Sequence, residues 1–134
     1  MRTKSELSVL LDEGTPGLVA DSFLQRGHRV IYHGDVLSPG AKDNLVCATA
    51  MLNNAALIAV DRDMRQMAKR FGTYDQGGRY DNLHLIFLNC NEVLAPKRIQ
   101  HFMSLIEHEW RIICEKPPRT LWIDIGPHYV RSYR

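Results

Sequence analysis

Four short apolar runs, alternating with stretches of helical periodicity, constrain this chain more than any other feature. Ser8 to Leu11 stops at Asp12-Glu13-Gly14, and Val30 to Tyr32 follows Gly27-His28. Ala56 to Val60 stops at Asp61, and Leu83 to Leu88 is followed by Asn89. Runs this short and this continuously apolar read as strands buried on both faces. The first helix is expected to start at Thr15-Pro16, with Leu18, Val19, Phe23 and Leu24 as its stripe and Gly27 as a left-handed stop. The second runs from Lys42 to Asn53 with Leu45, Ala48 and Leu52 inward. The third, capped by Asp63, turns Met64, Met67, Ala68 and Phe71 inward. The longest carries Ile99, Phe102, Met103, Ile106, Trp110 and Ile113 at i, i+3, i+4, i+7 spacing and is broken by Pro117-Pro118. Leu121 to Ile125 and His128 to Tyr133 read as a hairpin around Gly126-Pro127. Strands alternating with helices predict an α/β fold: a three-layer α/β/α sandwich with a mostly parallel central sheet and a C-terminal β-hairpin.

The 134 residues make one domain, 1–134, and 45% apolar content suffices for a core without staples. A charged fraction of 24% excludes a disordered acidic or basic tail protein, and a net charge of +2 is too mild to identify a nucleic-acid binder. Cys47, Cys90 and Cys114 are an odd set without C-x-x-C, so neither a disulfide framework nor a zinc ribbon is expected. They read as small core residues, and the cytoplasm is the expected compartment. Neither a signal peptide nor a membrane span is expected, since no apolar run approaches about 18 residues. The absence of a Walker loop and of G-x-G-x-x-G disfavours nucleotide-cofactor folds.

In a parallel sheet the working groups gather at the carboxyl ends of the strands. Asp12 and Glu13 end the first strand, Asp61 ends the third, Asp63 follows two residues later and Asp43 opens the second helix. All these positions open onto one rim. Two carboxylates about 5 Å apart at an effective dielectric near 20 repel by about 3 kcal/mol. Several together take up protons or hold a divalent cation. Oxygen donors with no His or Cys nearby in sequence favour Mg²⁺ or Mn²⁺ over Zn²⁺. A lone Asp at a helix start serves equally well as a cap, which is the competing reading for Asp43 and Asp63.

L-L-D-E (10–13), R-G-H-R-V-I (26–31), A-K-D-N-L-V (41–46) and L-I-A-V-D-R-D-M (57–64) resemble a PIN-like family of predicted nucleases, the toxins of bacterial toxin–antitoxin pairs. The usual pattern is an LLDEN opening, a GHDV strand, an SDEEIL helix and a TRDRDF acidic turn. The likeness extends through L-H-L-I-F-L (83–88), the long helix and the final hairpin with Arg131. It implies a PIN-like sandwich and metal-dependent hydrolysis of RNA phosphodiester bonds, with Asp12, Asp43, Asp61 and Asp63 on the family's acidic positions. Asp12, Asp61 and Asp63 would hold Mg²⁺ or Mn²⁺, Asp43 would orient the attacking water or a second ion, and Glu13 would support them from behind. Gly14 replaces the usual Asn, Ala59-Val60 precedes the acidic turn, Met64 replaces Phe, and Asn89 stands where an Arg is common.

Arg62, Arg65, Lys69 and Arg70 lie beside the acidic rim as candidate phosphate contacts, or as a solvated helix face. Tyr74, Arg79 and Tyr80 sit in a glycine-rich loop that could stack on bases or simply cover surface. His101 and His108 lack zinc spacing and read as surface residues. The expected partners are an RNA substrate, a small antitoxin protein and a second copy through Trp122, Tyr129 and Tyr133, with no membrane. The rival to a nuclease is a catalytically silent PIN-like binding module. A receiver-like phospho-acceptor fits less well, because no Lys ends a late strand.

Overall fold

The computed structural model describes residues 6–74, 83–116 and 120–133, with backbone only over 70–74. Its elements are β1 (Ser8–Leu11), α1 (Leu18–Gln25), β2 (Arg29–Tyr32), α2 (His33–Val36), α3 (Asp43–Leu52), β3 (Ala56–Ala59), α4 (Arg62–Tyr74), β4 (His84–Leu88), α5 (Ala95–Glu115), β5 (Trp122–Ile125) and β6 (Val130–Ser132). One six-stranded sheet has the order β2-β1-β3-β4-β5-β6, with only β6 antiparallel. The chain is α/β with a mostly parallel sheet and a terminal hairpin, as the alternation of apolar runs predicts.

Period-two alternation divides the strands between two cores. Val9, Leu11, Ile58, Ile86, Leu88 and Ile123 pack with Phe23 of α1 and with Ile99, Met103, Ile106 and Trp110 of α5. Leu10, Ile31, Leu57, Leu85 and Phe87 pack with Val46, Cys47 and Ala50 of α3 and with Met64 and Ala68 of α4. Both sheet faces are therefore covered, and only the strand ends are open for chemistry. Among the described residues no helix is long and apolar enough to cross a membrane.

Several local expectations give way to tertiary demands. Thr15 does not cap α1, whose N-cap is Gly17 without a side-chain bond. The Thr15 hydroxyl instead donates to the Ile58 carbonyl at 3.2 Å, tying the loop after β1 to β3. Leu18 and Leu24 are exposed while Val19, Ala20 and Phe23 face inward. In α3 the expected face is rotated: Leu45 is 53% and Leu52 88% exposed, whereas Val46, Cys47 and Ala50 are buried. Small side chains let this helix lie close against the sheet, and close packing decides over side-chain size. Asp61, not Asp63, caps α4, and the helix begins at Arg62. Cys47 is buried, but Cys90 is only partly buried and Cys114 is exposed, so the three are not uniformly core residues. His101 and His108 are exposed. Pro117 and Pro118 lie outside the described residues.

Two glycines have identifiable reasons. Gly27 ends α1 at φ +82°, a conformation that other residues rarely adopt. A Cβ on Gly126 would sit 2.1 Å from the Tyr129 ring, so only glycine admits the ring over the β5–β6 turn.

Candidate functional site

Because β1, β2 and β3 run parallel, their carboxyl ends share one rim. Leu11 lies beside Tyr32 and Ile58 in the register. The next residues to emerge at that rim are Asp12 after β1 and His33 after β2, with Val60 and Asp61 following β3. The ladder continues one step further, since the Asp12 N–H donates to the Ile58 carbonyl at 3.0 Å. Asp12 is thereby fixed in a buried position, only 8% exposed.

The other acids arrive on helix starts. Asp43 is the first residue of α3 and half-buried. Asp61 caps α4: its Oδ1 accepts the Asp63 N–H at 2.8 Å, and its carbonyl accepts the Arg65 N–H at 3.1 Å. Asp63, in the first turn, is exposed, as is Glu13. The Glu13 carboxylate accepts the Gly40 N–H at 2.9 Å, which pins the loop before α3 to the end of β1.

These groups act on one another. The Asp12 carboxyl is pushed up to about 6, first by burial and then by the charges of Asp43 and Asp61, while the Glu13 N–H and His33 oppose the rise. Asp43 is raised by burial and by Asp61 and Asp63. The Cys47 thiol, on the α3 face beneath them, is pushed up to about 12 by burial and by Asp43 and Asp12. A thiol so raised stays protonated and is no nucleophile. Asp12 is near enough to Asp43 and Asp61, and Asp43 to Asp61 and Asp63, for their charges to act on one another, although up to 51 residues separate them. Among the described residues none of the four forms an ion pair with Lys or Arg.

His33 and Asp124 were not singled out from the sequence. His33 is buried, and its Nε2 has no hydrogen-bond partner. The rule that found Asp12, namely the residue just past a strand end, would have found His33 had it been applied to β2. Asp124 lies on β5, 59 residues from its partner Arg65, with which it makes two bonds of 3.2 and 2.7 Å.

That pair bears on the basic residues. Arg65 is held by Asp124 and lies 5.7 Å from the Phe87 ring and 5.6 Å from the Trp122 ring. Its guanidinium is committed to joining α4 to β5. Arg62 is exposed beside Asp61, and Lys69 is exposed further along α4. The side chains of Arg70 and Tyr74, with Arg79 and Tyr80, lie outside the described residues. Asn89, which replaces an expected Arg, donates to the Tyr129 hydroxyl at 2.8 Å. The Tyr133 hydroxyl donates to Asp124 at 3.3 Å, and Trp122 and Tyr129 are partly buried.

Among the described residues no three His, Cys, Asp or Glu side chains form a group that could hold a metal ion. Carboxylates that raise one another, beside a buried imidazole nitrogen without a partner, are a combination that a bound cation would relieve. No family model, curated protein or solved structure matches the chain.

Proposed function

We propose that the chain is a metal-dependent ribonuclease of PIN-like type, hydrolysing RNA phosphodiester bonds as the toxin of a toxin–antitoxin pair. The observation that supports this reading best is the Asp12 carboxyl, buried at the end of β1 and pushed up to about 6 by burial and by Asp43 and Asp61. A fold that buries Asp12 near the charges of Asp43 and Asp61, with no Lys or Arg ion pair to any of the three among the described residues, sets aside stability for a ligand. Asp12, Asp61 and Asp63 would hold Mg²⁺ or Mn²⁺, directly or through water. An ion there would supply a hydroxide nucleophile and offset charge on the phosphoryl group.

The protein's own groups do the rest. Asp43, at the first turn of α3, orients the attacking water and accepts its hydrogen bond. Glu13, tied to Gly40, keeps the loop before α3 against the rim. Arg62 offers a phosphate contact from the first turn of α4, where an RNA backbone would otherwise meet only carboxylates. A small protein partner that restrains the activity, and a cytoplasmic site of action, belong to the same reading.

The test is cleavage of RNA by the purified chain with Mg²⁺ or Mn²⁺, compared with Asp12→Asn and with EDTA. Cleavage that needs the ion and falls at least about a hundredfold in the variant supports the proposal. Cleavage that survives Asp12→Asn overturns it. A folded chain that cleaves nothing with either ion and binds a protein partner tightly would be a silent binding module.

A further inference from the structure

The preference for Mg²⁺ or Mn²⁺ argued from the sequence assumed oxygen donors alone. The fold changes that donor set. β1 and β2 are parallel with Leu11 beside Tyr32, so Asp12 and His33 emerge from neighbouring strands at the same rim, although 21 positions separate them. His33 lies close enough to Asp12 to influence its carboxyl. His33 is only 8% exposed, and its buried Nε2 has no hydrogen-bond partner among the described residues.

The two other buried histidines set the contrast. His28 accepts the Leu7 N–H at 3.1 Å on Nδ1, and its Nε2 lies 2.6 Å from Glu107. His84 accepts the Leu121 N–H at 2.9 Å on Nδ1. Elsewhere, then, the molecule gives a buried imidazole nitrogen a partner. Beside the acids it leaves one bare, and a bare buried nitrogen is costly unless something binds it.

We propose that His33 is a nitrogen donor of the metal site, acting with Asp12, so that the site selects a first-row transition ion such as Mn²⁺ over Mg²⁺. This rests on the metal-dependent reading above and adds which residue sets the ion's identity. An imidazole suits transition ions, whereas Mg²⁺ prefers oxygen and keeps its waters. Asp12 and His33 would then be the direct protein donors, with Asp61 and Asp63 reaching the ion through water.

The experiment is binding of MnCl₂ and MgCl₂ to the metal-free full chain, by calorimetry and by the electron spin resonance of free Mn²⁺. Pulsed spin-echo spectra are then recorded on Mn²⁺-loaded wild type with ordinary and with ¹⁵N-labelled histidine. The expected result is Mn²⁺ binding at least about tenfold tighter than Mg²⁺, with a histidine-nitrogen modulation that changes on labelling. His33→Gln is expected to lose that preference and the modulation, with Mn²⁺ affinity falling by clearly more than Mg²⁺ affinity. Absence of the modulation in wild type overturns the proposal without any variant having to fold. If Asp12→Asn abolishes Mn²⁺ binding while His33→Gln leaves the Mn²⁺-to-Mg²⁺ ratio unchanged, the His33 assignment fails and the metal reading stands. If wild type binds neither ion, both fall together.

Discussion

The amino end of the sheet and the carboxyl end at β1 and β2 treat buried polar groups in opposite ways. At the amino end, the Glu107 carboxylate receives both Arg26 and the His28 Nε2, and His28 in turn accepts the Leu7 N–H. His84 accepts the Leu121 N–H and packs edge-on against Trp110, with ring centroids 5.0 Å apart. Glu109, also buried, accepts the Ser132 hydroxyl at 2.6 Å. At the carboxyl end, Asp12 sits among like charges and His33 keeps a bare nitrogen. The amino end is built as a folded protein normally is, with every buried charge answered. At β5 the carboxyl end also keeps the rule, since the buried Asp124 is answered by Arg65; at β1 and β2 it departs from it, and such departures gather at functional sites.

Asp12→Asn tests the contrast most severely. Cleavage is expected to fall by roughly 10²- to 10³-fold while stability rises, since several kcal/mol of charge stabilisation are at stake. The sign of the stability change follows from the pKa. The folded value near 6 lies above the ordinary 3.8, so Asp12's favourable contribution is complete below pH 3.8 and lost as pH rises through 6. Above pH 6 the variant should therefore be more stable by about 2–3 kcal/mol, and below pH 4 the gain should vanish. Urea titrations across pH read this directly. A variant less stable than wild type at pH 7 would mean that the carboxylate is a structural ligand of the fold.

The opposite end should respond in the opposite sense. Glu107→Ala removes the acceptor shared by Arg26 and His28 and leaves a buried ring N–H unanswered, so a loss of about 3–5 kcal/mol is expected. RNA cleavage below the lowered melting temperature should be unchanged, because the lesion lies across the sheet from the acids. A comparable loss of both properties would erase the distinction between the two ends.

Next in size is a pH effect. Burial lowers His84 from 6.5 to about 4, so its stabilising contribution is complete above pH 6.5 and lost as pH falls through 4, about 3 kcal/mol in all. Between pH 6 and 4 this loss opposes the gain from Asp12, and wild-type stability should change little. The variants separate the two: Asp12→Asn should weaken steeply with acid, and His84→Asn should not. A flat profile in Asp12→Asn would show that His84 is not the acid-sensitive group.

What was legible in the sequence was whatever depends on neighbours along the chain. Apolar runs of four or five residues stopping at Asp12 and Asp61 gave both the strands and the rim. The spacing Ile99, Met103, Ile106, Trp110 gave the inward face of α5. Pairings across the fold were not legible. Arg65 reads locally as one of several cations beside acids, and only the approach of α4 to β5 assigns it to Asp124. Glu107 and Glu109 lie on a long helix whose local pattern does not show that β6 and the loop after α1 bury them. His33 was hidden because the four residues of α2 are too few to show a period. The inward face of α3 was misread because its periodicity fits the Leu45–Leu52 stripe as well as Val46, Cys47 and Ala50, and distance to the sheet chose between them.

The smallest expected stability change separates capping from catalysis at Asp61. Its Oδ1 accepts the Asp63 N–H, an N-cap bond that Asn makes about as well as Asp. Asp61→Asn should therefore alter stability by no more than about 0.5 kcal/mol. It also removes one of the two negative charges that raise Asp12, so the Asp12 carboxyl should titrate at a lower pH, readable by carbon-13 resonance of the carboxyl. If Asp61 serves only as a cap, cleavage follows the unchanged stability. If it belongs to the ion site, cleavage drops by an order of magnitude or more while the melting curve stays where it was. Lost cleavage with an intact cap would establish that the acid at the end of β3 is kept for its charge; retained cleavage would place Asp61 with the satisfied groups of the amino end and leave Asp12 and Asp43 to carry the site.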